Sequence, residues 1–165
     1  MRKIKPIEDC TDKELEALRN NYHSKGKTEG GPYTLPEVNR ELLNRRASDM
    51  DGKTISEAIV KLATQNENGF TSYGELFKEI HKKDFLGNNS QRIISADLDR
   101  AIHYCISENW PIVTTLVINQ SENDLTPKAI ENIYDSCREL GLENMPLSKE
   151  EFIRSEQERS RQLLN

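Results

Sequence analysis

The sequence predicts a mostly α-helical chain with one small β element, an α+β arrangement that rests on three observations. Five segments open with Ser or Thr followed three residues later by Glu, each at the edge of an apolar periodicity close to the helical one. One β-branched run, Pro111 to Ile118, is too short for a helix and is followed by a polar turn, Asn119 to Asp124. Stretches without periodicity at residues 23–33 and 47–53 divide the chain, the first by its glycine content.

Taken in order, Thr11 and Glu14 open a helix with Leu15, Leu18 and Tyr22 on one face, and Thr34 and Glu37 open another with Leu35, Val38 and Leu42. In such a capping box the hydroxyl and the carboxylate satisfy two free backbone N–H groups reciprocally. Thr54 and Glu57 precede Ile55, Ala58, Ile59 and Leu62, and Ser72 and Glu75 precede Leu76, Phe77 and Ile80 in a shorter helix. A minor strand fits Gly69 to Thr71 between them. Ser90 caps a long helix whose apolar positions Ile94, Leu98, Ala101, Ile102, Cys105 and Ile106 run to Asn109. After the strand, Thr126-Pro127 starts a helix carrying Ile130, Ile133, Tyr134, Cys137 and Leu140, and Gly141 stops it. Ser148 and Glu151 open the last helix, where Phe152, Ile153, Leu163 and Leu164 stand among charges. The expected organisation is an N-terminal helical appendage over 1–53, a core over 54–141 and an exposed C-terminal helix over 142–165.

Composition bounds the function. The 165 residues fit one domain with appendages, 35% hydrophobic and 31% charged, with a net charge of −5. That balance argues against a uniformly basic nucleic-acid surface but not against a local basic face. Residues 1–92 carry 16 basic and 15 acidic side chains, and residues 93–165 carry 7 and 13. No apolar run approaches the ~20 residues that span a bilayer, and no apolar stretch follows the basic N-terminus, so a cytoplasmic protein without a membrane partner is expected. Cys10, Cys105 and Cys137 are odd in number and widely spaced, which fits reduced thiols better than a disulfide framework or a metal site.

The order helix, short extended piece, helix, turn, long helix, strand is that of a winged helix-turn-helix, whose second helix of the pair enters a DNA groove and whose β-wing follows. The elements starting at Thr54, Ser72 and Ser90 take the three helical places, and Pro111 to Asn119 opens the wing. An α+β domain with the same order and no nucleic-acid contact carries equal weight. Thr71-Ser72-Tyr73-Gly74-Glu75-Leu76, the helix with Leu98 and Ala101, and Asn109-Trp110-Pro111-Ile112-Val113 together resemble the C-terminal domain of the alkylguanine-DNA alkyltransferases. The resemblance covers residues 55–118. Those proteins carry T-Y-G-x-L-A, a recognition helix, then P-I and a reactive P-C-H-R. Here Val113-Thr114-Thr115-Leu116 stands in place of the reactive segment, with Leu116 near the position of the acceptor cysteine. The resemblance thus implies the scaffold, which also serves as a DNA-binding part of unrelated bacterial proteins, and not alkyl transfer.

Candidate contacts cluster at the turn. Lys78, Lys82, Lys83 and Arg92 face only Glu79 and Asp84 in sequence, and Asn88, Asn89, Ser90 and Gln91 can bond phosphates or base edges. A solvated Asn-rich turn is the equally weighted alternative. Asp97 and Asp99 on the long helix count against DNA if they face the groove. Catalytic signals are absent: Gly26-Lys27-Thr28 and Gly52-Lys53-Thr54 lack the first glycine of a phosphate loop, which would fall at Asn21 and Ala47. His103 and Cys105 point apart on their helix, and Cys105 reads as core. No catalytic residue, metal ligand or cofactor is assigned. The expectation is a non-enzymatic module of a regulatory or mobile-element type that binds nucleic acid. The alternative is a protein-binding inhibitor or immunity-type factor that uses the acidic C-terminal half.

Overall fold

The computed structural model describes residues 3–46, 50–146 and 148–164. Seven α-helices carry the described chain: α1 Asp12–Lys25, α2 Leu35–Arg45, α3 Gly52–Gln65, α4 Tyr73–His81, α5 Gly87–Ser107, α6 Pro127–Glu139 and α7 Lys149–Arg161. Strands β1, Thr71–Ser72, and β2, Val117–Ile118, pair in parallel with Thr71 opposite Val117. No helix among the described residues is long and apolar enough to cross a membrane.

Local signals set most helix starts. Thr11 and Thr34 form complete capping boxes with Glu14 and Glu37. Ser72, Thr126 and Ser148 each accept a backbone N–H from the residue three positions on. The box expected at Thr54 does not form. Asp51 caps α3 instead, accepting the Thr54 N–H at 2.8 Å, so helix occupies the end of the loop expected over 47–53, of which 47–49 lie outside the described residues. Gly52 makes this early start feasible, because a Cβ there would collide with the Arg100 carbonyl of α5. Likewise α5 starts at Gly87 and not after Ser90. It ends in a Schellman arrangement on Asn109 (φ 53°), with Trp110 N–H donating to Cys105 O at 2.8 Å.

Two larger differences concern the β-branched run and α7. Only Val117 and Ile118 of the run are strand; Val113–Leu116 forms a buried 3-10 turn, and no β-hairpin opens there. The reason is hydrogen bonding: β1 is two residues long and cannot satisfy an eight-residue strand, so the backbone folds on itself, with Thr115 N–H donating to Ile112 O at 3.1 Å. Helix α7 supplies the remaining partners. Glu156 accepts the Ile112 N–H at 2.9 Å, and Gln157 donates to Thr115 O at 3.2 Å. The C-terminal helix expected to stand exposed therefore buries Phe152, Ile153, Glu156, Gln157 and Ser160.

One large core joins α3 to α7, centred on Ile55, Ile59, Leu76, Ile94, Ala101, Cys105, Val113 and Leu116. The N-terminal helices hold a small core of their own, Cys10, Leu15, Val38 and Leu42. They dock through Leu43, which reaches the main core, and through polar bridges: Asn39 to Glu139 O (2.9 Å), His23 to Glu139 (2.7 Å) and Arg100 to Arg46 O (2.9 Å).

Candidate nucleic-acid interface

Helix α4 ends at His81, and Lys82 takes the left-handed conformation (φ 56°), donating its N–H to Lys78 O at 2.9 Å. This reverses the chain toward α5 within five residues. Phe85 anchors the turn by edge-on packing against Phe77, ring centres 5.6 Å apart. Around that anchor Lys78, Lys82, Lys83, Asn88, Asn89, Gln91 and Arg92 are all exposed, and so is Leu86. The four cations make no ion pair among the described residues; the nearby Glu79 is held by Lys61 at 2.6 Å, which lowers its pKa. Ser90 is the exception to the expected set. It is buried, and its hydroxyl accepts the N–H of Leu86, the residue that caps α5 without a side-chain bond, at 2.9 Å, so it is not free to meet a ligand.

The two acids of α5 do not stand on the open surface beside these cations. Asp97 is fully buried, its carboxylate 2.6 Å from His81 Nε2 and 3.3 Å from Arg100. This cluster ties the end of α4 to α5 and so fixes the angle of the helix pair. Asp99 lies farther along, in a cleft of about 250 Å³ between the N-terminal helices and α5–α6. Arg19, His23, Arg46, Ser136 and Glu139 also line it. Burial pushes the Asp99 carboxyl up to about 6, against the opposing pull of Arg46 and a hydrogen bond from Ser136. Sequence reading placed neither contact, because Asp97 and Asp99 meet partners 16 and 37 residues away.

Searched against protein families, curated proteins and solved structures, the chain matches none. The chemistry must be read from its own side chains. Among the described residues no three His, Cys, Asp or Glu side chains assemble as a metal-binding group. Cys10, Cys105 and Cys137 are free and buried, and burial raises the thiol pKa of both Cys105 and Cys137, which leaves them poor nucleophiles. His103 faces away from Cys105, half-buried and influenced by Arg40 of α2. What the turn offers is non-covalent: a set of unneutralised cations interleaved with amide side chains on a rigid base.

Proposed function

We propose that this chain is a non-enzymatic nucleic-acid-binding module of the helix-turn-helix type, its β element reduced to the β1–β2 pair, with the α4–α5 turn and the first half of α5 as the contact surface. One observation carries the reading. The exposed part of α5 presents Asn88, Asn89, Gln91, Arg92 and Ser95, while Asp97 is buried against His81 and Arg100 and Asp99 is half-buried in the cleft. Phosphates approaching the turn therefore meet Lys82, Lys83 and Arg92 with Asp84 as the exposed acid between them. Amides near the start of a recognition helix are suited to base edges, and lysines to the backbone.

The acidic-surface alternative has less support. In α6 and α7 the carboxylates of Glu131, Asp135, Glu150 and Glu156 are engaged by Lys128, Lys149, Arg154 and Arg159, which lowers the field a basic partner would feel. The test is a fluorescence-anisotropy titration of labelled mixed-sequence duplex at low salt. Binding should weaken linearly in log affinity against log salt, and Lys82→Ala with Lys83→Ala should flatten that slope by about two units, one per lost phosphate contact. Gln91→Ala should change sequence preference with little change in slope. No binding by the folded wild-type chain would overturn the reading.

A further inference from the structure

Helical spacing places Asn88, Arg92, Ser95, Asp99 and His103 on one face of α5. The first three are exposed or border the open turn, and the last two are half-buried where α2 crosses the helix. At that crossing α2 and the residue that caps its C-terminus bring two exposed arginines, Arg40 and Arg46. Arg46 acts electrostatically on Asp99 and Arg40 on His103. Neither makes an ion pair among the described residues: Glu41 is engaged by Arg45 at 2.9 Å, and Glu37, held by the Thr34 cap, feels Arg40 without bridging it. Of the acids across the cleft, Glu139 is held by His23 at 2.7 Å, which leaves Asp99 as the carboxylate facing Arg46.

We infer that the N-terminal helix pair is part of the nucleic-acid surface, with Arg40 and Arg46 of α2 holding the backbone of a duplex on the far side of the groove from Arg92. The inference rests on the nucleic-acid reading of the α4–α5 turn and adds the duplex as its partner. Arg92 and Asp99 are seven residues apart on α5, so the place where α2 crosses lies about 10 Å along the helix from Arg92. Helix α5 thus enters the groove with its first half, and α2 meets the second backbone where the exposed stripe ends. A single strand has no second backbone at that distance, so duplex is preferred over single strand.

The arginines can be removed without disturbing the docking of α2. Arg46 bonds Arg100 through its carbonyl, and among the described residues the Arg40 side chain donates a hydrogen bond only to the Pro36 carbonyl of its own helix. The full chain carrying Arg40→Ala and Arg46→Ala is titrated with a 20-base-pair duplex and with one of its strands, across a salt series, after its melting curve is shown to match wild type. The expected result is duplex binding weakened by about ten-fold at low salt with a slope reduced by about two units. Single-strand binding should change less, and Arg40→Lys with Arg46→Lys should restore the slope. Unchanged duplex affinity and slope in the folded alanine variant would overturn the inference. If Lys82→Ala with Lys83→Ala still flattens the slope in that case, the turn remains the binding surface and α2 is excluded from it. Absence of any wild-type binding removes both.

Discussion

Between Lys78 and Arg92 four cations stand exposed with no carboxylate in bridging distance among the described residues, whereas every lysine and arginine from Lys128 to Arg159 is held by one. The turn and the α6–α7 end therefore use charge in opposite ways. At the C-terminal end Arg154 bridges Asp124 at 2.8 Å and Arg159 bridges the buried Glu156 at 2.7 Å, fixing α7 over the 3-10 segment. There, charge organises structure. At the turn, structure is held by Phe77, Phe85, Ser90 and the Asp97 cluster, which leaves the lysines and Arg92 without a structural task. Exposed ion pairs contribute only about 0–1 kcal/mol, so leaving these cations unpaired costs the fold little and gives the surface a local positive field.

The sharpest break of this contrast is removal of α7. A chain ending at Pro146 exposes the pocket of Phe152 and Ile153 and strips the buried Ile112 N–H of its Glu156 acceptor. The side chains alone account for about 1.5–3 kcal/mol each, and the unpaired N–H for a further ~1–3 kcal/mol. That sum approaches the whole stability of an ordinary domain, about 5–15 kcal/mol. Cooperative thermal unfolding should be lost or its midpoint should fall by more than 10 °C on the usual scale of ~2–8 °C per kcal/mol. A melting curve like that of the full chain would show that α7 is an accessory.

Asp97→Ala comes next. Taking the charged partner from a buried pair typically costs about 3–5 kcal/mol, and here it leaves the Arg100 guanidinium and the His81 ring without the carboxylate they share. Urea unfolding should report a loss of about 3 kcal/mol. The same change removes the polar tie between α4 and α5, so the binding proposed for the turn should weaken even in the fraction that folds.

Asp99 gives the smallest effect, and its sign is opposite. Its folded pKa of about 6 lies above the ordinary carboxyl value of 3.8, so the neutral form is favoured in the native state. That contribution is complete below the unfolded pKa and is lost as pH rises through about 6. The penalty of the ionised form is at most about 3 kcal/mol, from 1.36 kcal/mol per unit. Asp99→Asn should accordingly be more stable than wild type in urea at pH 7.5, and the difference should shrink toward zero at pH 4. A constant difference across that range would show that Asp99 titrates normally.

How much of this was legible in the sequence depended on how local the cause was. The caps at Thr11, Thr34, Ser72, Thr126 and Ser148 involve residues three apart, and the sequence shows both partners. Asp51 displaced Thr54 because Gly52 meets the Arg100 carbonyl, a close approach that no local pattern records. The β-branched run reads as strand from its side chains, yet its backbone partners come from α7 and the short β1. Glu156, Gln157 and Ser160 read as solvent-facing for the same reason: polar side chains are counted as exposed until the distant carbonyls and N–H groups they serve are known. At the candidate interface the exposed cations and amides followed from composition. The burial of Ser90 and Asp97 and the arrival of Arg40 and Arg46 beside α5 depended on tertiary contacts.

We propose that the charge left unpaired at the α4–α5 turn meets a nucleic-acid backbone, and amide chemical-shift mapping reads that contact residue by residue. In a titration of isotopically labelled protein with a short duplex at low salt, the largest shifts should fall on residues 82–95, with the α6–α7 amides of 128–161 unmoved. Shifts concentrated in α6 and α7, or none anywhere at protein and duplex concentrations near 1 mM where even non-specific complexes with Kd of about 10⁻⁴ M form, would contradict it.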